Sequence, residues 1–102
     1  MDFKENLSGW GNNINVTSNI HLPKNNTDIS NLYISGIIQN SITRGLGRSY
    51  GDCSLDHNVI SLKNYEKFFK FDDKLGILEC SSNFSLNEIL KLIIKKGWFL
   101  NV

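Results

Sequence analysis

The chain has 102 residues, and its 11 basic and 10 acidic side chains give a formal net charge of +1 at pH 7. This length suits one small domain, and such an even charge balance does not supply the basic face that nucleic-acid binding requires. The N-terminus is charged, and no apolar run approaches the ~18 residues of a membrane span. We therefore expect a cytoplasmic protein that binds no nucleic acid and has no membrane span. The absence of alanine and the abundance of Asn, Lys and Ile favour A/T-rich codons and a bacterial source.

Two short strands are predicted in the first half of the chain, after a polar N-terminal lead-in over residues 1–12. Polar and apolar side chains alternate from Asn15 to Leu22, as in a short strand, and Pro23 ends this segment. The segment from Ser41 to Thr43 is short and β-branched and predicts a second strand. The residues that follow it would then leave the end of a strand, where ligand-binding loops are common.

A helix is predicted between these strands, near residues 28–39. Thr27 or Asp28 is placed to cap its N-terminus. Gly36 weakens the prediction, because glycine in a helix interior costs ~1 kcal/mol relative to alanine. The apolar residues that follow the cap at helical spacing are Ile29, Leu32, Tyr33 and Ile37.

The second half of the chain predicts three strands and a second helix. Residues 58–62 form the first strand, and residues 68–71 and 77–80 form a hairpin with a longer turn. Ser85 and Glu88 have the spacing of a capping box, so a helix begins there and ends at Gly97. Its predicted buried stripe is Leu86, Ile89, Leu90, Ile93 and Ile94. Together these elements predict an α+β fold, a small sheet with two helices.

The cysteines and histidines do not predict a metal site or a catalytic group. Cys53 and Cys80 lie outside any CxxC or His/Cys cluster, which argues against both a metal site and a disulfide framework. His21 and His57 stand beside no Ser, Cys or carboxylate in a nucleophile-and-base order. For His57, an exposed position in a turn is the favoured interpretation.

The stretch from Arg44 to Asp52, RGLGRSYGD, has the chemistry of a phosphate-binding loop. Its three glycines allow positive φ angles and a close approach of backbone N–H groups to an anion. Ser49 adds a hydroxyl donor, and Arg44 and Arg48, which are the only arginines of the chain, can grip phosphate oxygens with paired hydrogen bonds. The alternative is a glycine-rich turn whose arginines pair with surface carboxylates.

Two common phosphate motifs do not match this stretch. The dinucleotide fingerprint requires a third glycine three residues after Gly47, where Tyr50 stands. The P-loop requires Gly-Lys-Ser/Thr after a four-residue gap, where the chain has Tyr50-Gly51-Asp52. The loop must therefore belong to another class.

The same stretch resembles the pyrophosphate loop of FAD-linked oxidoreductases of the vanillyl-alcohol-oxidase (PCMH-type FAD-binding) superfamily, and above all the decaprenylphosphoryl-β-D-ribose 2-oxidase group. Residues 7–11, Leu-Ser-Gly-Trp-Gly, are similar to that group's N-terminal Leu-x-Gly-Trp-Gly, and Gly97-Trp98 stands where such proteins enter their next strand. The resemblance implies that residues 13–102 are the N-terminal portion of a PCMH-type FAD-binding domain. It also implies FAD as the cofactor and a small-molecule substrate, a sugar or another alcohol oxidised at a CH–OH group.

The resemblance also implies which residues contact FAD. Cys53 stands where the family is expected to have asparagine. From the residues themselves, Asp52 is expected to brace the turn through backbone N–H groups, and Tyr50 to pack on the cofactor or cover the loop. The implied cofactor contacts are Thr43, Arg44, Gly45, Leu46, Gly47, Arg48, Ser49, Tyr50, Gly51, Asp52 and Cys53.

Residues 98–102 have the pattern of a beginning strand, so we expect the chain to be the front of a longer protein. In the proteins it resembles, the rest of the FAD domain and a substrate domain follow. No catalytic residue can therefore be assigned, and the fragment alone is expected to be inactive. A non-catalytic nucleotide- or phosphate-binding module, or a vestigial truncated product, is the alternative.

Overall fold

The computed structural model describes residues 2–101. Within them the fold is α+β, as the sequence predicts, with two α-helices, one four-stranded sheet and one two-stranded sheet. The chain forms two compact units that divide between Glu66 and Lys67. No helix among the described residues is long and apolar enough to cross a membrane.

The first unit is built on a four-stranded sheet whose strands are β1 (Phe3–Ser8), β2 (Asn15–His21), β3 (Ile42–Arg44) and β4 (Asn58–Ser61). Their spatial order is β1-β2-β4-β3. Strands β1 and β2 are antiparallel, whereas β4 runs parallel to both β2 and β3. The buried cluster of this sheet is Leu7, Ile20 and Val59, which lie on β1, β2 and β4.

Strand β1 lies in the segment for which the sequence predicted only a polar lead-in. All six of its residues pair with β2, from Phe3 opposite Ile20 to Ser8 opposite Asn15. It is an edge strand of the sheet, and only Leu7 among its residues is buried. Because an edge strand can keep polar side chains in water, its sequence does not show the apolar alternation of a more central strand.

Helix α1 (Asn26–Ile34) is shorter than predicted and begins earlier. Asn25 is its N-cap, because the Asn25 side chain accepts a hydrogen bond of 2.9 Å from the N–H of Asp28. The predicted caps, Thr27 and Asp28, therefore lie inside the helix. Gly36 has a φ of 79° and ends the helical conformation, so the prediction to residue 39 was wrong. A short 3-10 turn (Ile37–Asn40) follows.

The second unit contains the predicted hairpin, β5 (Phe69–Asp72) and β6 (Ile77–Cys80), and helix α2 (Leu86–Ile93). The capping box of α2 is confirmed: Ser85 and Glu88 exchange hydrogen bonds of 3.0 and 3.1 Å between side chain and backbone. After a 3-10 turn, Gly97 at a φ of 84° ends the helical segment.

The stripe that α2 buries is narrower than predicted. Ile89 and Ile93 are buried and Leu90 is half-buried, but Leu86 and Ile94 are 55% and 53% exposed. Leu86 is the first residue of the helix, where a side chain has fewer neighbours. Ile94 lies beyond the last residue of α2 and begins the 3-10 turn.

The strand predicted from Trp98 onwards is absent from residues 98–101, and Val102 lies outside the described residues. Contacts of its side chain, and not strand pairing, fix the position of Trp98. Its indole N–H donates a 2.7 Å hydrogen bond to the carbonyl oxygen of Asp73, and its ring meets Phe71 edge to face. A Cβ on Gly76 would lie 2.5 Å from the indole ring, so only glycine leaves room for this contact.

Candidate anion-binding loop

The candidate loop leaves the carboxyl end of β3, as the sequence predicts, and returns to the start of β4. Strands β3 and β4 are parallel neighbours, with Ile42 opposite Val59 and Arg44 opposite Ser61. The chain must therefore travel back along the sheet between them, and it does so through turns without a helix. The chain between β3 and β4 thus forms a long loop at the end of a strand, where ligands commonly bind.

Arg44 holds the base of this loop through two hydrogen bonds. One terminal nitrogen, Nη2, donates to the backbone carbonyl of Ser8 at 2.8 Å, and the other, Nη1, donates to the hydroxyl of Ser54 at 3.2 Å. Ser54 is only 9% exposed, and its hydroxyl lies 3.1 Å from that of Ser49. One guanidinium therefore connects the end of β1 to the far end of the loop.

Gly47 makes room for this guanidinium. A Cβ on Gly47 would lie 2.1 Å from Nη2 and 2.4 Å from the central carbon of the Arg44 guanidinium. Gly47 also has a φ of 69°, in the left-handed region that favours glycine. Gly51 has a φ of 62°, but a Cβ there would meet none of the described residues within 4 Å. Glycine at position 51 is therefore required only by the backbone conformation, whereas at position 47 it is required by both conformation and packing.

The turn between β1 and β2 packs on the loop from outside. The backbone N–H of Trp10 donates a 2.9 Å hydrogen bond to the carbonyl of Ser49, and Trp10 forms an isolated parallel bridge with Tyr50. Their rings meet edge to face at 5.3 Å, although both remain 59% and 72% exposed. A Cβ on Gly9 would lie 2.4 Å from the carbonyl oxygen of Gly51, which explains glycine at that position.

The middle of the loop presents donors that the fold does not use. Arg48 is exposed and has no hydrogen bond or ion pair within residues 2–101. In the same range the N–H groups of Leu46, Gly47 and Arg48 donate no hydrogen bond. Adjacent backbone N–H groups beside a left-handed residue are the usual donors of an anion-binding concavity.

Neither arginine pairs with a carboxylate of residues 2–101. The single ion pair among the described residues joins Lys67 to Glu88, and Arg44 instead bonds to a carbonyl and a hydroxyl. The alternative interpretation, a turn whose arginines form surface ion pairs, is therefore wrong for residues 2–101.

Three further residues of the predicted site are Asp52, Thr43 and Cys53. The expected brace by Asp52 is not formed: its backbone carbonyl accepts from the N–H of Leu55 at 3.0 Å, but its carboxylate makes no hydrogen bond within residues 2–101. Arg44 and Ser54 supply that brace instead. Thr43 lies on the opposite face of β3 from Arg44, because neighbouring strand residues alternate in direction. Cys53 is an exposed free thiol.

Sequence reasoning did not identify the contribution of Ser54. It stands in a polar turn, and a single sequence contains no sign that its hydroxyl is buried beside Arg44. A buried hydroxyl is nearly always hydrogen-bonded, so its role becomes evident only when its burial is known. Ser8 and Gly9 belong to the segment that carried the family resemblance, and the geometry gives both a physical role in supporting the loop.

The histidines do not join the loop's donors. His57 is exposed in a turn, as expected. His21 is buried, and its Nε2 lies 3.1 Å from the side-chain oxygen of Asn58, a structural contact within the sheet. In the part of the chain that the structure describes, no three His, Cys, Asp or Glu side chains converge as metal ligands would.

Comparison with known proteins adds no assignment: no protein-family model matches the chain, and no curated protein matches it.

Proposed function

We propose that the loop from Arg44 to Asp52 binds the diphosphate of FAD, and that the chain is the N-terminal part of an FAD-dependent oxidoreductase of the vanillyl-alcohol-oxidase type. The observation that carries this proposal is the set of unused donors at the centre of the loop, the N–H groups of residues 46–48 and the guanidinium of Arg48. These donors are held beside a braced, glycine-rich turn whose sequence is RGLGRSYGD.

The donor set suits a diphosphate. Backbone N–H groups and a guanidinium both bind phosphate oxygens, and charge-assisted hydrogen bonds are about twice as strong as neutral ones. Gly47 and Gly51 adopt left-handed conformations that let successive N–H groups converge. No carboxylate within residues 2–101 competes for Arg48, so its charge is available to a ligand.

The chemistry would be divided between FAD and the protein. When bound, FAD accepts the two electrons removed from the substrate. The residues of this chain would hold and orient the diphosphate: Arg48 and the N–H groups by direct contact, and the turn from Gly9 to Trp10 by supporting Ser49 and Gly51 from outside. None of the loop residues has the arrangement of a general base or a nucleophile.

The proposed substrate of the full-length protein is a small molecule, a sugar or another alcohol, oxidised at a CH–OH group. The proposed compartment is the cytoplasm. Both Cys53 and Cys80 are free thiols, and Cys53 is exposed, as is usual for proteins in a reducing compartment.

Selectivity among three ligands tests the proposal. The chain is titrated by calorimetry with FAD, ADP and inorganic pyrophosphate under one set of conditions. We expect all three to bind, because each carries the diphosphate that the loop is proposed to contact. Tighter binding of pyrophosphate than of FAD and ADP would favour a phosphate-binding module without flavin chemistry, and binding of none would overturn the assignment of the loop.

A further inference from the structure

The two arginines of the loop differ in burial and in hydrogen bonding. Arg44 is half-buried and donates two hydrogen bonds to the protein, whereas Arg48 is exposed and donates none within residues 2–101. We propose that Arg44 is a positioning residue that sets the shape of the loop before any ligand arrives, and that Arg48 alone supplies the guanidinium that contacts phosphate. This inference rests on the proposed function.

The role of Arg44 follows from the segments that it joins. Its guanidinium bonds to the Ser8 carbonyl at the end of β1 and to the Ser54 hydroxyl at the far end of the loop. The Ser54 hydroxyl in turn lies 3.1 Å from that of Ser49, in the centre of the loop. A planar group with several donors in fixed directions can hold such separated acceptors at once, which an ammonium group on a flexible stem does less well.

Gly47 makes the brace possible. The guanidinium of Arg44 lies where a side chain at position 47 would begin, with Nη2 2.1 Å from the place that a Cβ would occupy. Arg44 therefore packs on the backbone of Gly47 itself, next to the N–H groups that the proposed function assigns to the ligand. Loss of Arg44, or addition of a methyl group at Gly47, should release these N–H groups from one fixed arrangement.

Arg48 has the opposite properties. It stands one residue after Gly47 on the exposed side of the loop, and neither a carboxylate nor a carbonyl in the described part of the chain holds its guanidinium. Its hydrogen-bonding capacity is therefore available to a ligand. Because Arg44 orders the loop before a ligand arrives, binding through Arg48 costs less conformational entropy than it would in a loop without this brace.

Hydrogen exchange of the ligand-free chain tests the role of Arg44 separately from any ligand. We expect Arg44→Ala and Gly47→Ala to raise the exchange of the amides of Leu55 and Trp10, whose N–H groups bond to Asp52 and Ser49 of the loop, by about ten-fold or more, because local opening becomes easier. Arg44→Lys should do nearly the same although it keeps the charge. Arg48→Ala should change this exchange by less than about two-fold. The amides of β2 serve as the internal control that each variant remains folded.

Pyrophosphate titrations of the same variants test the role of Arg48. Arg48→Ala should weaken binding by roughly ten-fold or more, and Arg48→Lys should recover part of the loss, because it restores the charge without the planar fork. Arg44→Lys should bind pyrophosphate little better than Arg44→Ala does, since the brace depends on the geometry of the guanidinium. Lys95→Ala, which removes one exposed positive charge from the second unit, is the control for net charge.

The outcomes separate the inference from the proposed function. Unchanged exchange in Arg44→Ala, or an equal rise in Arg48→Ala, would overturn the division of roles whatever the ligand. Pyrophosphate binding that survives Arg48→Ala unchanged would overturn the contact role of Arg48. If the unmodified chain binds neither pyrophosphate nor FAD, the proposed function fails and the contact role fails with it, while the exchange data still decide the role of Arg44.

Discussion

Arg44 and Gly47 share one space: the guanidinium of Arg44 fills the position in which a side chain on residue 47 would stand, and a Cβ there would lie 2.1 Å from its terminal nitrogen. This contact links the conformation of the loop to the buried hydroxyl of Ser54, because the same guanidinium bonds to it. Four residues of sequence thus contain both the glycine that permits the turn and the arginine that fixes it.

Replacing Gly47 should therefore lower the free energy of unfolding more than replacing Gly51 does. Each substitution by alanine places a Cβ in the left-handed region, at a cost of ~1–2 kcal/mol. Gly47→Ala also displaces Arg44 from its hydrogen bonds, so its free energy of unfolding should be lower by about a further 1–2 kcal/mol. Urea unfolding followed by circular dichroism measures the difference. Equal losses in the two variants would show that the Arg44 contact contributes nothing to stability.

Gly9→Ala should detach the loop from the turn between β1 and β2. The new Cβ would lie 2.4 Å from the carbonyl oxygen of Gly51 and 2.9 Å from that of Ser49, and backbone atoms cannot move aside as cheaply as a side chain. We expect the hydrogen bond from the Trp10 N–H to Ser49 to weaken and the exchange of that amide to rise. Gly45→Ala is the matched control for folding, since a Cβ there meets nothing described within 4 Å and its φ is not positive. An unchanged Trp10 amide in Gly9→Ala would contradict the packing.

Glu88 should make the second unit sensitive to acid. The N–H of Ser85 and the ammonium of Lys67 hold the pKa of Glu88 below its usual value of 4.5, because both favour the charged carboxylate. A lowered pKa stabilises the folded state at pH above that usual value, and the stabilisation is lost as the pH falls through the folded-state pKa.

The variant Glu88→Gln should show a weaker loss of stability between neutral pH and pH values below 4.5 than the unmodified chain does. Thermal unfolding at a series of pH values measures it. Glu79→Gln, which removes an exposed carboxylate of the same unit but leaves the capping box intact, is the matched control. An identical pH dependence in Glu88→Gln and the unmodified chain would contradict the assignment.

The elements that the sequence predicted well are those with local causes. The side chains of Ser85 and Glu88 each accept a hydrogen bond from the other residue's backbone N–H, three positions away. Helix α2 could therefore be predicted from its capping box alone. The β-branched residues at 42–43 and 58–61 likewise fall on observed strands. The start of α1 was missed because Asn25, Thr27 and Asp28 can all cap a helix, and only the fold decides among them.

The features that the sequence did not predict depend on distant contacts. The Ser8 carbonyl that Arg44 bonds lies 36 positions away, and no spacing rule connects them. Strand β1 exists because β2 offers it a partner, not because its residues have a strong strand pattern. The glycines and arginines of the loop could be recognised as one group, but their division into brace and contact required the geometry.

The most direct test of the central claim is a calorimetric titration of the chain with FAD, in parallel with its Arg48→Ala variant. We expect the unmodified chain to bind FAD and the variant to lose about 1–3 kcal/mol of binding free energy, the cost of a missing hydrogen bond to a charged group. The Lys95→Ala variant should bind as the unmodified chain does. FAD binding that is absent, or that is equal in the unmodified chain and in Arg48→Ala, would contradict the proposed contact between Arg48 and the diphosphate.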